Sequence, residues 1–151
     1  MKKNIIDIEK NNTEFHLPFY HFCGPGTKVV TRLVSNSNYG KPINELDKAC
    51  MIHDIEYLKY AGNNYLLRKA DEKLKKAAQK IGGMSGNLID KVFFFKELAE
   101  DVGLWSPSSF VQMLVKNLSI PEQNLLGAIL YEKYVNKNND INIEDYFSIK
   151  K

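Results

Sequence analysis

The stretch "NELDKACMIHDIEYLKYAGNNYLLRKAD", residues 44–71, changes the period of the chain and decides its fold. Leu46, Cys50, His53, Tyr57 and Tyr60 recur at steps of four, three, four and three, which places them on one helical face. Asn44 is suited to cap this helix, Asp47 falls in its first turn, and "AGNN" at 61–64 supplies the stop. A second helix is predicted from about Tyr65 to Ile81. Leu67, Ala70, Asp71, Leu74, Ala77, Ala78 and Ile81 share one of its faces, and Arg68, Lys69, Lys73, Lys75, Lys76 and Lys80 lie mostly on the other. "GG" at 82–83 ends it. A connection as short as that between Tyr60 and Tyr65 makes the two helices antiparallel neighbours.

Two polar residues interrupt the apolar faces of this pair, His53 on the first helix and Asp71 on the second. Each alone has an ordinary explanation: a core histidine satisfied by a backbone carbonyl, or a boundary aspartate turned outward. Together they need two exceptions on facing stripes, whereas a His–Asp contact needs one arrangement. A buried aspartate requires a partner, and a ring N–H is a suitable one; the bond would fix the tautomer and leave the other ring nitrogen as a general base. Asp54 follows His53 and lies about 100° further round the helix. One carboxylate is a poor metal site, but a glycine loop can turn backbone carbonyls inward to complete it. "FCGPGT" at 22–27 is such a loop, although on its own it also reads as a Gly-Pro-Gly turn.

Outward from this centre the chain reads as one globular unit. Its 151 residues are 44% hydrophobic and 26% charged, enough for a core and too ordinary for a disordered or repeat protein. The formal charge of +3 mildly favours an anionic partner without choosing between phospholipid and nucleic acid. "MKKNIIDIEKNN" has no apolar run of signal-peptide length and no stretch approaches a membrane span, so a soluble protein is expected. Residues 1–14 read as a flexible polar arm, and "VVTRLV" at 29–34 as a short strand or extended loop. "NLIDKVFFFKELAEDVG" at 87–103 is a third amphipathic helix. "SSFVQMLVKNL" at 108–118 begins a fourth at a Ser-rich cap, and "PEQNLLGAILYEKYV" at 121–135 is a fifth, with Pro121 in its first turn. Residues 136–151 form a polar tail without clear period. Cys23 and Cys50 are too few for a disulfide framework or zinc site and read as buried thiols.

Taken in order, "CGPGT", "GKPIN", "HDIEY" and "GNNYLLRKADEKL" resemble the phospholipase A2 family, more closely the phospholipase A2-like domain of parvovirus minor capsid proteins. The resemblance covers roughly Phe15 to Ile81. It implies an all-α fold with two long antiparallel catalytic helices, an N-terminal calcium loop and additional C-terminal helices. The expected domain spans 15–135, with a core at 15–82 and extra helices at 87–135. By position, His53 would be the base and Asp71 its orienting partner. Asp54 and the carbonyls of Phe22, Gly24 and Gly26 would hold Ca²⁺, and Tyr57 and Tyr65 would give supporting hydrogen bonds. Cys23 and Cys50 match two cysteines that are bridged in secreted phospholipases, a pair the parvovirus-type domains generally lack.

The implied activity is calcium-dependent hydrolysis of the sn-2 ester of glycerophospholipids at a membrane surface, with no nucleic-acid partner. The alternatives are a catalytically weak or inactive, toxin-like phospholipase-like module binding membranes or proteins, and a helical interaction protein using the basic face of residues 68–80. Virion-associated, cytoplasmic and non-classically exported locations all fit the chain.

Overall fold

The structure is a computed structural model and describes residues 3–14, 20–24, 26–35, 37–81 and 111–150. These residues are mainly helical, as expected, and contain no strand. The helices are α1 (Ile5–Glu9), α2 (Val29–Val34), α3 (Glu45–Lys59), α4 (Asn64–Ile81), α5 (Gln112–Asn117) and α6 (Ile120–Leu130), the last continuing into a π-helical turn at Tyr131–Val135.

The centre of the molecule is α3. Asn44 is extended, and its side chain accepts the Asp47 N–H at 2.9 Å, which starts the helix. At the other end the Tyr60 N–H returns to Glu56 O at 2.8 Å, and Gly62, at φ 85°, reverses the chain. His53 and Asp71 stand equally far before and after Gly62, as antiparallel helices require. Burial of α3 exceeds the one face that its periodicity marks: Asp47, Met51, Asp54, Ile55, Glu56 and Leu58 are buried as well. The reason is that α4 covers one side and α6 another. On α4 the buried residues are Ala70, Leu74 and Ala78, while Ile81, expected inward, is 49% exposed.

The contact between α6 and α3 is close to backbone against backbone. A Cβ on Gly127 would run into the main chain of Leu58 and Lys59, so glycine sets the approach of the two helices. Asn124 Nδ2 lies 3.2, 3.0 and 3.1 Å from the carbonyls of Leu58, Lys59 and Ala61, capping the C-terminus of α3 from outside. Helix α6 itself starts at a capping box between Ser119 and Glu122, with proline in its first turn as expected. Residues 82–110 lie outside the described residues, and with them the "GG" stop, the third helix and the Ser-rich cap of the fourth.

Three expectations for the periphery are corrected. "VVTRLV" is helical, because Glu9 caps it from a distance: its carboxylate accepts the N–H of Val30 at 3.2 Å and of Thr31 at 2.7 Å, and the Thr31 hydroxyl at 2.9 Å. Backbone donors satisfied in this way outweigh the β preference of a branched run. The expected N-terminal arm contains α1, capped by Asn4, with Ile5 and Glu9 fully buried. The C-terminal tail packs too. Ile143 and Phe147 are buried, and Ile5 N and Ser148 N bond to Ser148 O and Lys3 O at 3.0 and 3.1 Å, joining the two ends of the chain.

Replacing Gly127 with alanine is expected to destabilise the protein by roughly 1–3 kcal/mol, since the added carbon has no space between α6 and α3. Urea unfolding followed by circular dichroism measures this; an unchanged midpoint would contradict the close approach.

Candidate active site

His53 and Asp71 meet as their positions on facing helices require. His53 Nε2 is 2.7 Å from Asp71 Oδ1, and the Tyr57 hydroxyl donates to the same oxygen, also at 2.7 Å. A carboxylate only accepts, so Nε2 carries the proton and the lone pair resides on Nδ1. Tyr57 lies one turn beyond His53, with its ring centroid 4.6 Å from the imidazole, so one aspartate orients both rings. The His53 side chain is buried, whereas that of Asp71 is 23% exposed at the edge of the site. Burial works against a charged imidazole, but the neighbouring Asp54 and Asp71 carboxylates outweigh it and raise the ring's pKa above the ordinary 6.5.

Asp54 occupies the next position and is buried. Its Oδ1 lies 3.8 Å from His53 Nδ1, while Oδ2 has no hydrogen-bond partner among the described residues. Burial pushes this carboxyl up to about 7, with His53 pulling the other way. An orphaned buried carboxylate oxygen is costly unless a cation or donor completes it.

The loop is fastened to the same stripe of α3. Asp47, Cys50 and Asp54 follow one another at helical spacing and lie on one side of the helix. Asp47 accepts the N–H groups of His21 at 3.2 Å, Phe22 at 2.8 Å and Ile43 at 3.0 Å. Cys50 is disulfide-bonded to Cys23, with the Cα atoms 5.1 Å apart, so the two cysteines are bridged rather than free thiols. One turn further along is the unsatisfied carboxylate of Asp54.

Within the loop, the carbonyls of Phe22 and Gly24 converge on the buried Thr27 hydroxyl, at 3.3 and 3.1 Å. Gly24 and Gly26 have φ of 149° and 77°, and a Cβ on Gly26 would collide with the Thr13 carbonyl. Among the described residues no group of three His, Cys, Asp or Glu side chains could hold a metal, so a cation here would depend on Asp54 together with backbone oxygens. That donor set, all oxygen with one orphaned carboxylate, fits Ca²⁺.

Two positions depart from the sequence reading. Tyr65 is 68% exposed, with its ring 5.4 Å from Lys69 Nζ, and stands at the surface rather than beside Tyr57. Asp47, read only as a first-turn charge, is the anchor of the loop. The signal was available in its spacing from Cys50 and Asp54.

A histidine–aspartate dyad on antiparallel helices, beside a glycine loop cross-linked to the histidine's own helix, is the architecture of the phospholipase A2 class. The family model described as Phospholipase A2-like domain matches residues 13–96, more than half of the sequence, and the chain belongs to that family. Comparison with curated proteins and with solved structures finds no significant match. The family match includes every candidate site residue, while α5 and α6 lie beyond it.

The bridge closes a sequence separation of 27 residues. Cys50→Ser is therefore expected to cost about 3.5 kcal/mol of stability by the chain-entropy relation. Urea unfolding with and without reductant checks it: the reduced protein should match the variant, and no effect of reductant would exclude the bridge.

Proposed function

We propose that the protein is a calcium-dependent phospholipase A2 that hydrolyses the sn-2 ester of glycerophospholipids at a membrane surface. The observation that carries this reading is the 2.7 Å bond from His53 Nε2 to Asp71, with the buried, incompletely bonded Asp54 at the next position. His53 Nδ1 would take a proton from water as the water oxygen forms a bond to the ester carbon. Asp71 would hold the ring in this tautomer and stabilise the imidazolium, with Tyr57 fixing the Asp71 carboxylate. As the ester C–O bond breaks, the imidazolium would return the proton to the departing lysophospholipid oxygen, and the acyl group would leave as fatty acid. Asp54 and the carbonyls of Phe22, Gly24 and Gly26 would hold Ca²⁺, which when bound supplies Lewis-acid polarisation of the ester carbonyl. No described helix is long and apolar enough to cross a membrane, which suits an enzyme that meets lipid from the aqueous side.

Fatty-acid release from mixed phospholipid vesicles is expected with calcium and not with chelator. His53→Ala and Asp54→Asn should each lower it by at least about a thousandfold with the helical circular dichroism retained. Release that ignores the chelator, or none from folded, calcium-supplied protein, would refute the proposal.

Calcium affinity should depend on pH through Asp54. The metal binds the carboxylate, so affinity is full above the pKa of about 7 and is lost as pH falls through it. Calorimetry between about pH 8 and about pH 6 should show a plateau and then a decline approaching tenfold per unit. Constant affinity over that range would remove Asp54 from the ligand set.

A further inference from the structure

On the side of α3 remote from His53 is a cavity of about 690 Å³ between the N-terminus of α3, the 3-10 turn at Asn38–Gly40 and the segment after α6. Met51 and Lys48 line it, and at about 100° per residue they lie about 160° and 220° round the helix from the catalytic histidine. The hollow is therefore separate from the dyad and from the glycine loop.

Its lining is divided by polarity. Lys41, Lys48 and Lys137 contribute three ammonium groups, opposed by the single carboxylate of Glu45. None of the three lysines has an ion-pair or hydrogen-bond partner for its side chain among the described residues, unlike Lys3, Arg32 and Lys73, which pair with Glu122, Glu14 and Glu56. The positive end of the α3 dipole adds to the same field. Beneath the charges, Leu33 and Met51 form an apolar floor, and Ile43, 47% exposed, stands at the rim. Lys137 is the one described non-glycine residue with positive φ, at 61°. Hydrogen bonds of Asn136 N to Tyr131 O and of Asn138 N to Glu132 O hold the chain on either side of it.

We propose that this cavity binds the phosphate-bearing head group of an anionic phospholipid, with the lysines around the phosphate and the glycerol and first methylenes against Leu33, Met51 and Ile43. The volume is that of a small-molecule site. An apolar floor under unpaired cations suits an amphiphile better than a polyanion, which would be served by an open basic stripe such as the outer face of α4. A lipid held here would tether the protein to an anionic surface without competing for the dyad. The proposal rests on the membrane-acting reading above for the source of the lipid, but the binding does not require turnover.

The test is equilibrium sedimentation with vesicles in the presence of chelator, where hydrolysis does not enter. The protein is expected to bind an equal mixture of phosphatidylcholine and phosphatidylglycerol far better than phosphatidylcholine alone. The triple variant Lys41→Gln, Lys48→Gln, Lys137→Gln should lose roughly a hundredfold of that affinity, at about fivefold per lysine near an anionic surface. A control variant on α4, Lys69→Gln, Lys76→Gln, Lys80→Gln, should lose far less. Equal losses in the two variants would mean diffuse electrostatic attraction and overturn the site. Glycerol 3-phosphate or inorganic phosphate binding as tightly as the vesicles would overturn the lipid assignment in favour of a free phosphate. Loss of vesicle binding with calcium-dependent fatty-acid release intact would separate this site from the catalytic reading, and failure of release with binding intact would leave the site standing.

Discussion

Asp47 is buried in the first turn of α3, and its carboxylate accepts N–H groups from His21, Phe22 and Ile43. A buried carboxylate has to find donors or a cation, and charge-assisted bonds to backbone N–H groups are among the stronger ones available to it. The chain therefore has little freedom in where it places residues 21–22 and 43: both segments are drawn to the same side of the same helix. The glycine loop begins where this attachment ends, at Cys23, and the bridge to Cys50 repeats it one turn further along. The third position of the stripe, Asp54, is equally buried, and its Oδ2 has no hydrogen-bond partner among the described residues. Burial, only partly offset by His53, is what raises its pKa, and an oxygen-binding cation would reverse the balance by favouring the charged form.

Two further acids follow the same rule with different partners. Glu9 spends its carboxylate on the N-terminus of α2, and Asp71 spends its own on His53 and Tyr57. Each joins elements distant in sequence, so the polar interior acts as fastening rather than as a defect in the core. The difference between them is exposure. Glu9 is fully buried, whereas Asp71 is 23% exposed and holds the His53 and Tyr57 rings from the edge of the site.

The pair of long helices and the His53–Asp71 contact were legible in the sequence, because both depend on local periodicity and on a short turn. Helix α2 was not: its residues favour a strand, and the group that overrides this preference is Glu9, whose partners Val30 and Thr31 lie far along the chain. The N-terminal helix escaped for a related reason. Ile5, Ile6 and Ile8 are a short apolar group in a polar stretch, and the N–H of Ile5 is placed by its bond to the Ser148 carbonyl, far along the chain. The family resemblance puts Tyr65 in the site, but at the start of α4 it sits on the outer face, which is fixed once Ala70 and Leu74 are buried.

The most consequential part that periodicity could not reveal is the function of α6. Its sequence announces a helix but not what that helix covers, and the decisive residues are an asparagine and a glycine. Gly127 allows α6 to approach the backbone of α3, and at that range Asn124 reaches the carbonyls of Leu58, Lys59 and Ala61 at and just beyond the end of the helix. His53 and Asp54 lie between this external cap and the Asn44–Asp47 anchor at the other end, so the central helix is held at both termini and cross-linked between them. A histidine and a carboxylate on adjacent residues of a freely fraying helix would lose their geometry by the rotation of a single turn. Helix α6 lies outside the matched family segment, and it supplies the second of the two constraints that prevent this.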